Sequence, residues 1–235
     1  MIRFRNIYFP DNETYFQEHI TKATDVEVAG AATYQWGKFA HCIPIIRDFR
    51  HAVDVGANVG LWARVMGALF TKVTCFEPVV GLADCLALNA PGVDIHRCAL
   101  GDKEGSLTLR VIDGACGLTH PRPTSLEKTE ADDRHNGLLH GKMEFSSLEV
   151  PVRTLDSFDL PKIDFLKIDV EGFEYFVVKG GVRTIRRDHP VIIVEQKSGT
   201  AEHYGLQKKE AVDFLGKMGA KVKFDFAGDY CLSWE

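Results

Sequence analysis

Short runs of apolar residues alternate with amphipathic segments through the middle of the chain. The pattern predicts strands at residues 51–55, 72–76 and 93–100. Between them, apolar residues recur every three or four positions over 61–69 and 79–89, which is typical of helices packed on one face. Strands that alternate with helices in this way predict a parallel sheet with right-handed crossover connections.

The second half of the chain resumes the pattern after an interruption. An irregular insertion at about 113–142, rich in Gly, Pro, His and charged residues, lies between the two extended segments that follow the elements above. The other predicted elements are extended segments at 106–112 and 143–153, strands at 163–170 and 190–195, helices at 173–187 and 207–218, and two strands at 221–226 and 230–234. The short turn at 227–229 predicts that the last two strands form an antiparallel hairpin. We therefore expect an N-terminal cap segment, helical or irregular, over residues 1–45 and an α/β domain over 46–235.

Composition narrows the class of protein. A chain of 235 residues fits one α/β domain. The net charge of −5 and the lack of long basic runs argue against a nucleic-acid partner. No apolar run is long enough for a membrane span, and the N-terminal residues turn polar too early for a signal peptide. The six scattered cysteines predict reduced thiols in a cytoplasmic protein. These features of the sequence do not predict the oligomeric state.

The most informative segment is the sequence V-D-V-G-A-N-V-G at residues 53–60. A strand ends there, Gly56 lets the backbone approach a ligand closely, and Asn58 is predicted to cap the helix that follows. Ligands of open α/β sheets bind at such a turn. Glu77 ends the next strand, about 20 residues on, where a carboxylate can bind ribose hydroxyls.

The charge of this segment discriminates between nucleoside cofactors. A dinucleotide loop reads G-x-G-x-x-G and directs helix N–H groups at a pyrophosphate. Here Asp54 stands at the start of the loop, and a carboxylate suits an ammonium better than a phosphate. S-adenosylmethionine carries an ammonium, a sulfonium and a ribose but no phosphate, so it is the favoured cofactor. The alternative interpretation is that Asp54 caps the turn and Glu77 is solvated.

Several ordered motifs resemble the FkbM family of methyltransferases. They are VDVGANVGLWA (53–63), CFEPVVGL (75–82), LNAPGVDIHRCALGDKEGSLTL (88–109), VRTLDSF (152–158), FLKIDVEGFEYFVVKGG (165–181) and PVIIVEQ (190–196). The resemblance implies a Rossmann-like class I methyltransferase fold, a seven-stranded, mostly parallel sheet with helices on both faces. It also implies, as the usual activity, O-methylation of a hydroxyl on a sugar or a natural-product small molecule. It covers residues 1–45 and 113–142 poorly.

The resemblance also assigns roles to residues on the cofactor side. It places Asp54, Gly56, Asn58 and Gly60 around the methionine moiety and Glu77 at the ribose. Asp102 falls near the adenine, and its alternative is a turn aspartate before Lys103. A further residue, Asn89, either reaches the cofactor or ends its helix, and we favour the second interpretation.

Acidic residues at the ends of two later strands are candidates for the acceptor side. Strand alternation puts Lys167 and Asp169 on one face, where they can pair or hold the acceptor. Asp169 is the first candidate for a catalytic or acceptor-binding carboxylate, with Lys167 and Glu171 beside it. Glu171 precedes a helix, whose dipole already stabilises its charge. Glu195 adds a third carboxylate at the same edge of the sheet.

These candidates leave several questions open. Hard oxygen ligands suit Mg²⁺, but no local metal-binding spacing occurs, so a required metal is not expected and we assign no metal ligand. Tyr34 and Trp36 are second-rank candidates for lining the acceptor pocket, with core packing favoured. The alternatives to an O-methyltransferase are an N-methyltransferase, an NAD-dependent oxidoreductase and a non-catalytic cofactor-binding module.

Overall fold

The computed structural model describes most of the chain. The described residues are 1–13, 16, 17, 20, 27, 28, 31–112, 120, 121, 145–197 and 200–234. Most of the predicted insertion at 113–142 lies outside them. The described part of the insertion is the short strand at residues 120–121.

The strands account for most of the predicted extended segments. In chain order they are β1 (Ile2–Phe4), β2 (Ile7–Phe9), β3 (Glu27–Val28), β4 (Ala31–Ala32), β5 (His51–Val55), β6 (Lys72–Phe76), β7 (Asp94–His96), β8 (Ala99–Leu100), β9 (Gly105–Ile112), β10 (His120–Pro121), β11 (Phe145–Arg153), β12 (Phe165–Ile168), β13 (Val191–Glu195), β14 (Lys221–Asp225) and β15 (Asp229–Ser233). The single strand predicted at 93–100 is thus two short strands, β7 and β8, which belong to different sheets.

The described α-helices follow the strands at the expected places. They are α1 (Trp36–Cys42), α2 (Leu61–Leu69), α3 (Val80–Asn89), α4 (Glu174–Lys179), α5 (Val182–Asp188) and α6 (Glu210–Lys217). The continuous helix predicted over 173–187 is wrong, because it is broken at Gly180 and Gly181. A Cβ on Gly180 would lie 1.9 Å from the Gly101 carbonyl oxygen, so the chain needs glycine where it passes this loop.

The main sheet has seven strands in the order β14-β15-β13-β12-β5-β6-β7. Strands β13, β12, β5, β6 and β7 are mutually parallel, and β14 and β15 form the predicted antiparallel hairpin at one edge. A second sheet has the order β10-β9-β11-β8. The carboxyl ends of β5, β6, β12 and β13 therefore meet at one edge, where ligands of parallel sheets bind.

Alternating residues of the central strands face two separate cores. On one face, Val53, Leu166 and Ile192 pack with residues from α4, α5 and α6. On the other, Phe165 and Ile193 pack with residues from α1, α2 and α3. Helices on both faces leave the strands buried throughout, which explains their continuous apolar sequence.

The described part of the N-terminal segment begins with a β-hairpin, whereas the sequence predicted a helical or irregular cap. Residues 1–9 form the hairpin of β1 and β2, and Ile7 and Phe9 pack against Val59 and Leu82. Asn89, the last residue of α3, accepts a hydrogen bond from Tyr8 N (2.7 Å) and donates to the carbonyl oxygens of Tyr8 (2.8 Å) and Val59 (2.7 Å). This geometry supports the interpretation that Asn89 ends its helix, and it ties the hairpin to the loop after β5.

Candidate active site

The loop after β5 turns sharply at Gly56. Its φ of 78° lies in the left-handed region, and its N–H donates to the Phe76 carbonyl at the end of β6 (3.0 Å). A Cβ here would lie 1.9 Å from the carbonyl oxygen of Asp169. Glycine is therefore required twice, for its conformation and for the close approach of the turn after β12.

The helix after this loop begins later than Asn58. Its N-cap is Gly60 at φ 87°, so the prediction of Asn58 as N-cap is wrong. Asn58 itself has φ 52°, which asparagine tolerates because its side chain bonds locally. Its Oδ1 accepts a hydrogen bond from Val59 N at 2.8 Å. Asn58 and Gly60 thus shape the loop after β5. Their contacts with a cofactor remain predictions.

Glu77, just after β6, is buried and fully engaged with the backbone. Its Oε2 accepts from Asn58 N and its Oε1 from Val79 N, both at 2.9 Å. Burial raises the pKa of Glu77 to about 7, against the lowering effect of these two N–H groups. The carboxyl group joins the two loops at the carboxyl ends of β5 and β6. The alternative that Glu77 is solvated is therefore wrong.

Asp54 and Lys167 are side by side on adjacent parallel strands and form a buried ion pair. Lys167 Nζ lies 3.1 Å from Asp54 Oδ1 and 3.3 Å from the Gly56 carbonyl oxygen. Lys167 Nζ also lies 5.8 Å from the ring centroid of Trp62. Burial by itself lowers the pKa of Lys167, but the carboxylates of Asp54 and Asp169 outweigh it and raise the pKa. Lys167 is thus held as a charged ammonium next to the cofactor loop.

The second oxygen of Asp54 is suited to a cationic ligand. Asp54 Oδ2 is buried and has no hydrogen-bond partner among the described residues. An acceptor without a partner is costly in a protein interior. Together with Glu77 on the next strand, it gives a set of carboxylate acceptors that fits the ammonium and ribose hydroxyls of S-adenosylmethionine better than a pyrophosphate.

Three carboxylates meet at the ends of β12 and β13. One oxygen from each of Asp169, Glu171 and Glu195 lies within 4.8 Å of the others. Asp169 Oδ2 is 3.5 Å from Lys167 Nζ, and Glu195 contacts Lys197. Glu171 has a left-handed φ of 55°. The sequence-based candidates Lys167, Asp169 and Glu171 are therefore together in space, and Glu195 joins them.

Burial and the surrounding negative charge make Glu171 a weaker acid than an ordinary glutamate. Burial raises the pKa of Glu171 to about 8, and the charges of Asp169 and Glu174 add to the effect. A carboxyl group with a pKa near neutrality can take up and release protons under ordinary conditions. The same three residues offer hard oxygen ligands and could hold a divalent cation.

A narrow cleft opens beside these carboxylates. It contains about 180 Å³ of empty space, part of it open to solvent, and its lining residues are Gln35, Trp62, Lys167, Ile168, Asp169, Ile193, Glu195 and Asp229. Gln35 accepts a hydrogen bond from Trp62 Nε1 (3.2 Å) and donates one to the Tyr34 hydroxyl (3.1 Å). The N-terminal segment thus supplies one wall of the cleft.

Sequence reasoning missed Gln35 and Trp62. Tyr34 and Trp36, the predicted neighbours, pack in the apolar core, and the Trp36 ring lies 6.0 Å from that of Phe39. The helical spacing of apolar residues over 61–69 predicts that Trp62 lies on the buried face of its helix. Its only polar atom, Nε1, was a signal that the side chain needs a partner at the edge of the core.

Asp102 lies apart from the other candidates, just after β8. Its Oδ2 accepts a hydrogen bond from Lys179 Nζ at 2.8 Å. This ion pair with the end of α4 is compatible with the turn interpretation, and a contact with adenine stays a prediction.

The five free cysteines in the described part of the chain are buried. They agree with the expectation of reduced thiols, and Cys116 lies outside the described residues. Within the described residues, no helix has the length and apolarity that a membrane span requires.

The sheet order, the helices on both faces, the edge hairpin and the loop at the end of β5 together define a Rossmann-like class I methyltransferase fold. A family model described as the methyltransferase FkbM domain matches residues 54–222. Since the match covers well over half of the chain, the protein belongs to the FkbM methyltransferase family, as the sequence motifs predicted.

Curated relatives agree with this assignment. Methyltransferase sdnD of Sordaria araneosa is 30% identical over 152 residues, which cover 54% of this chain and 59% of the relative. Methyltransferase 1 of Beauveria bassiana is 27% identical over 146 residues, covering 57% and 59%. The hexuronic acid methyltransferase AglP of Haloferax volcanii is 26% identical over 168 residues, covering 70% and 60%. The chain thus spans about 60% of the length of these relatives.

Proposed function

We propose that this protein is an S-adenosylmethionine-dependent methyltransferase that methylates a hydroxyl group on a sugar or a natural-product small molecule. The observation that carries the proposal is the contact between the two halves of the site. The turn that bears Asp169 and Glu171 packs directly on Gly56 of the cofactor loop, with no space for a Cβ between them. A cofactor held by that loop is therefore next to the carboxylates at the end of β12.

The cofactor side binds through carboxylates. Asp54 and Glu77 provide acceptors for an ammonium and for ribose hydroxyls, and Gly56, Asn58 and Gly60 set the backbone between them. S-adenosylmethionine, when bound, supplies an electrophilic methyl group on a sulfonium. An NAD-dependent oxidoreductase is the weaker alternative because the Asp54 carboxylate at the start of this loop would oppose a pyrophosphate.

The acceptor side orients and deprotonates the hydroxyl. Asp169 lines the cleft beside the cofactor loop, where it can hold the acceptor hydroxyl and accept its proton. Lys167 keeps the Asp169 carboxylate in place through their ion pair. Burial raises the pKa of Glu171 to about 8, so this neighbouring carboxyl group is mostly protonated at neutral pH and Asp169 is the proton acceptor. Alignment of the hydroxyl oxygen with the methyl group then provides most of the remaining catalysis.

The name of the Haloferax volcanii relative supports a carbohydrate acceptor. The cleft of this chain is narrow and is lined by Asp169, Glu195 and Asp229. The polar lining of the cleft suits a hydroxylated surface.

Two measurements test the proposal. Calorimetry should detect binding of S-adenosylhomocysteine and no binding of NAD⁺, and the reverse result would place the protein among the oxidoreductases. Incubation with S-adenosylmethionine and a panel of neutral sugars, hexuronic acids, hydroxylated natural products and amines should give a product heavier by one methylene unit. Methylation of the amines alone would replace O-methylation with N-methylation.

A further inference from the structure

The turn between β12 and α4 carries the acceptor-side carboxylates on an unusual backbone. Glu171 and Gly172 both have positive φ values, 55° and 101°. The left-handed region is unfavourable for glutamate, so the surroundings must hold this conformation. The position of the Asp169 and Glu171 side chains therefore depends on what fixes the turn.

A single buried carboxyl group spans this turn. Glu174 is the first residue of α4 and is fully buried. Its Oε1 accepts hydrogen bonds from Val170 N (3.1 Å) and Gly172 N (2.9 Å), the residues on either side of Glu171. Its Oε2 is buried and has no hydrogen-bond partner among the described residues. These two backbone N–H groups partly offset the cost of burying this carboxyl group.

Neighbouring segments hold the turn on both sides but leave its middle to Glu174. At the start, Asp169 N donates to the Val55 carbonyl (3.1 Å) and Asp169 O lies against Gly56. At the end, a Cβ on Gly172 would lie 2.5 Å from the carbonyl oxygen of Thr200. Between these contacts, the N–H groups of Val170 and Gly172 are bound by Glu174.

We propose that Glu174 is a positioning residue for methyl transfer, which rests on the function proposed above. Its Oε1 holds the turn so that Asp169 and Glu171 keep their places beside the cofactor loop. The role depends on an oxygen at the correct distance, while the charge of the carboxylate is dispensable. A displacement of about 1 Å at a reacting group can lower a rate by about 100-fold.

A series of substitutions at one position separates geometry from charge. Glu174→Gln keeps an acceptor oxygen at the same distance, whereas Glu174→Asp is one methylene too short and Glu174→Ala has no acceptor. We expect kcat to stay within about threefold of wild type for Gln and to fall about 10- to 100-fold for Asp and Ala. The Kd of S-adenosylhomocysteine should change by less than about threefold in all three, because Asp54 and Glu77 lie on other strands.

Asp156 provides a matched control for general loss of stability. Its carboxylate also accepts from two backbone N–H groups, those of Arg183 (2.9 Å) and Thr184 (2.7 Å), at the start of α5. Asp156→Ala should lower the melting temperature to a similar degree and leave kcat unchanged. An equal loss of kcat in this control, or equal losses in Glu174→Gln and Glu174→Ala, would overturn the proposal.

Amide hydrogen exchange supplies a readout that does not require the methyl acceptor to be known. Glu174→Asp and Glu174→Ala should accelerate exchange at Val170 and Gly172, and Glu174→Gln should not. Unchanged exchange in Glu174→Asp would refute the role of Glu174 whatever the enzyme methylates. Accelerated exchange in a protein that binds no S-adenosylhomocysteine would instead refute the proposed function and keep the structural assignment of Glu174.

Discussion

The two halves of the site use carboxyl groups in opposite ways. On the cofactor side, Glu77 is 3% exposed and both of its oxygens accept backbone N–H groups. On the acceptor side, the Asp169 side chain is 30% exposed. Its ion-pair partner, Lys167, also pairs with Asp54. On the cofactor side, Glu77 is thus fixed by backbone N–H groups, whereas on the acceptor side the Asp169 carboxylate is partly exposed to the cleft.

This difference suits a reaction with one fixed and one variable partner. A site whose groups are already oriented binds its ligand with little loss of conformational freedom. Carboxylates left available beside a cleft can instead adapt to different hydroxylated molecules. The comparison predicts that substitutions on the cofactor side change binding, and that substitutions on the acceptor side change the rate.

Gly56→Ala should have the largest effect, because it breaks the contact between the two halves. The new Cβ would overlap the Asp169 carbonyl, and φ is positive. We expect a loss of about 3 kcal/mol or more in the free energy of unfolding and loss of both S-adenosylhomocysteine binding and turnover. Gly216→Ala, in open space on α6, is the control and should stabilise the protein by about 0.5–1 kcal/mol. Urea denaturation and calorimetry measure both, and wild-type binding by Gly56→Ala would contradict this view of the loop.

Asp169→Asn should lower kcat by about 100- to 10,000-fold, the range typical of a lost general base. Cofactor binding should be retained, because the substitution leaves Asp54 and Glu77 in place. Single-turnover measurements with a confirmed acceptor, together with calorimetry, separate the two effects. Full turnover by this variant would show that Asp169 is neither the base nor an acceptor-binding residue.

Binding of S-adenosylhomocysteine should depend on pH through Glu77. Only the ionised carboxylate is a full acceptor for ribose hydroxyls, and its pKa in the folded protein is about 7. Since affinity follows the ionised fraction, it should rise about tenfold from pH 6 to pH 8. Glu77→Gln should bind more weakly at pH 8 and lose this pH dependence. A titration that is equally steep in Glu77→Gln would assign the dependence to another group.

Chelation should have the smallest effect. Asp169, Glu171 and Glu195 could hold a cation, but the proposed proton transfer to Asp169 requires none. We expect EDTA and added Mg²⁺ to change the initial rate by less than about twofold. A loss of activity with EDTA that Mg²⁺ restores would make these carboxylates a metal site and would remove Asp169 as the base.

The sequence predicted the parallel sheet, the edge hairpin and the cofactor loop. The signals for these features are local in the sequence. For the cofactor loop, an apolar run, a glycine turn and a carboxylate about 20 residues later all fall within one strand–helix–strand unit. The hairpin follows from two extended segments joined by a short turn. It also brought Lys167, Asp169 and Glu171 together, because they belong to a single strand end. The break at Gly180 was missed because a helical pattern of apolar residues does not reveal which backbone passes nearby.

The use of those groups depends on contacts between elements that are distant in the chain. The pairing of Asp54 with Lys167 follows from the register of two strands that are distant in the chain. The arrival of Gln35 and Trp62 at the cleft depends on how helices and sheet pack. Hydrophobic periodicity specifies which face of an element is buried, but partners across a buried face are chosen by packing and by the need to satisfy every buried polar atom.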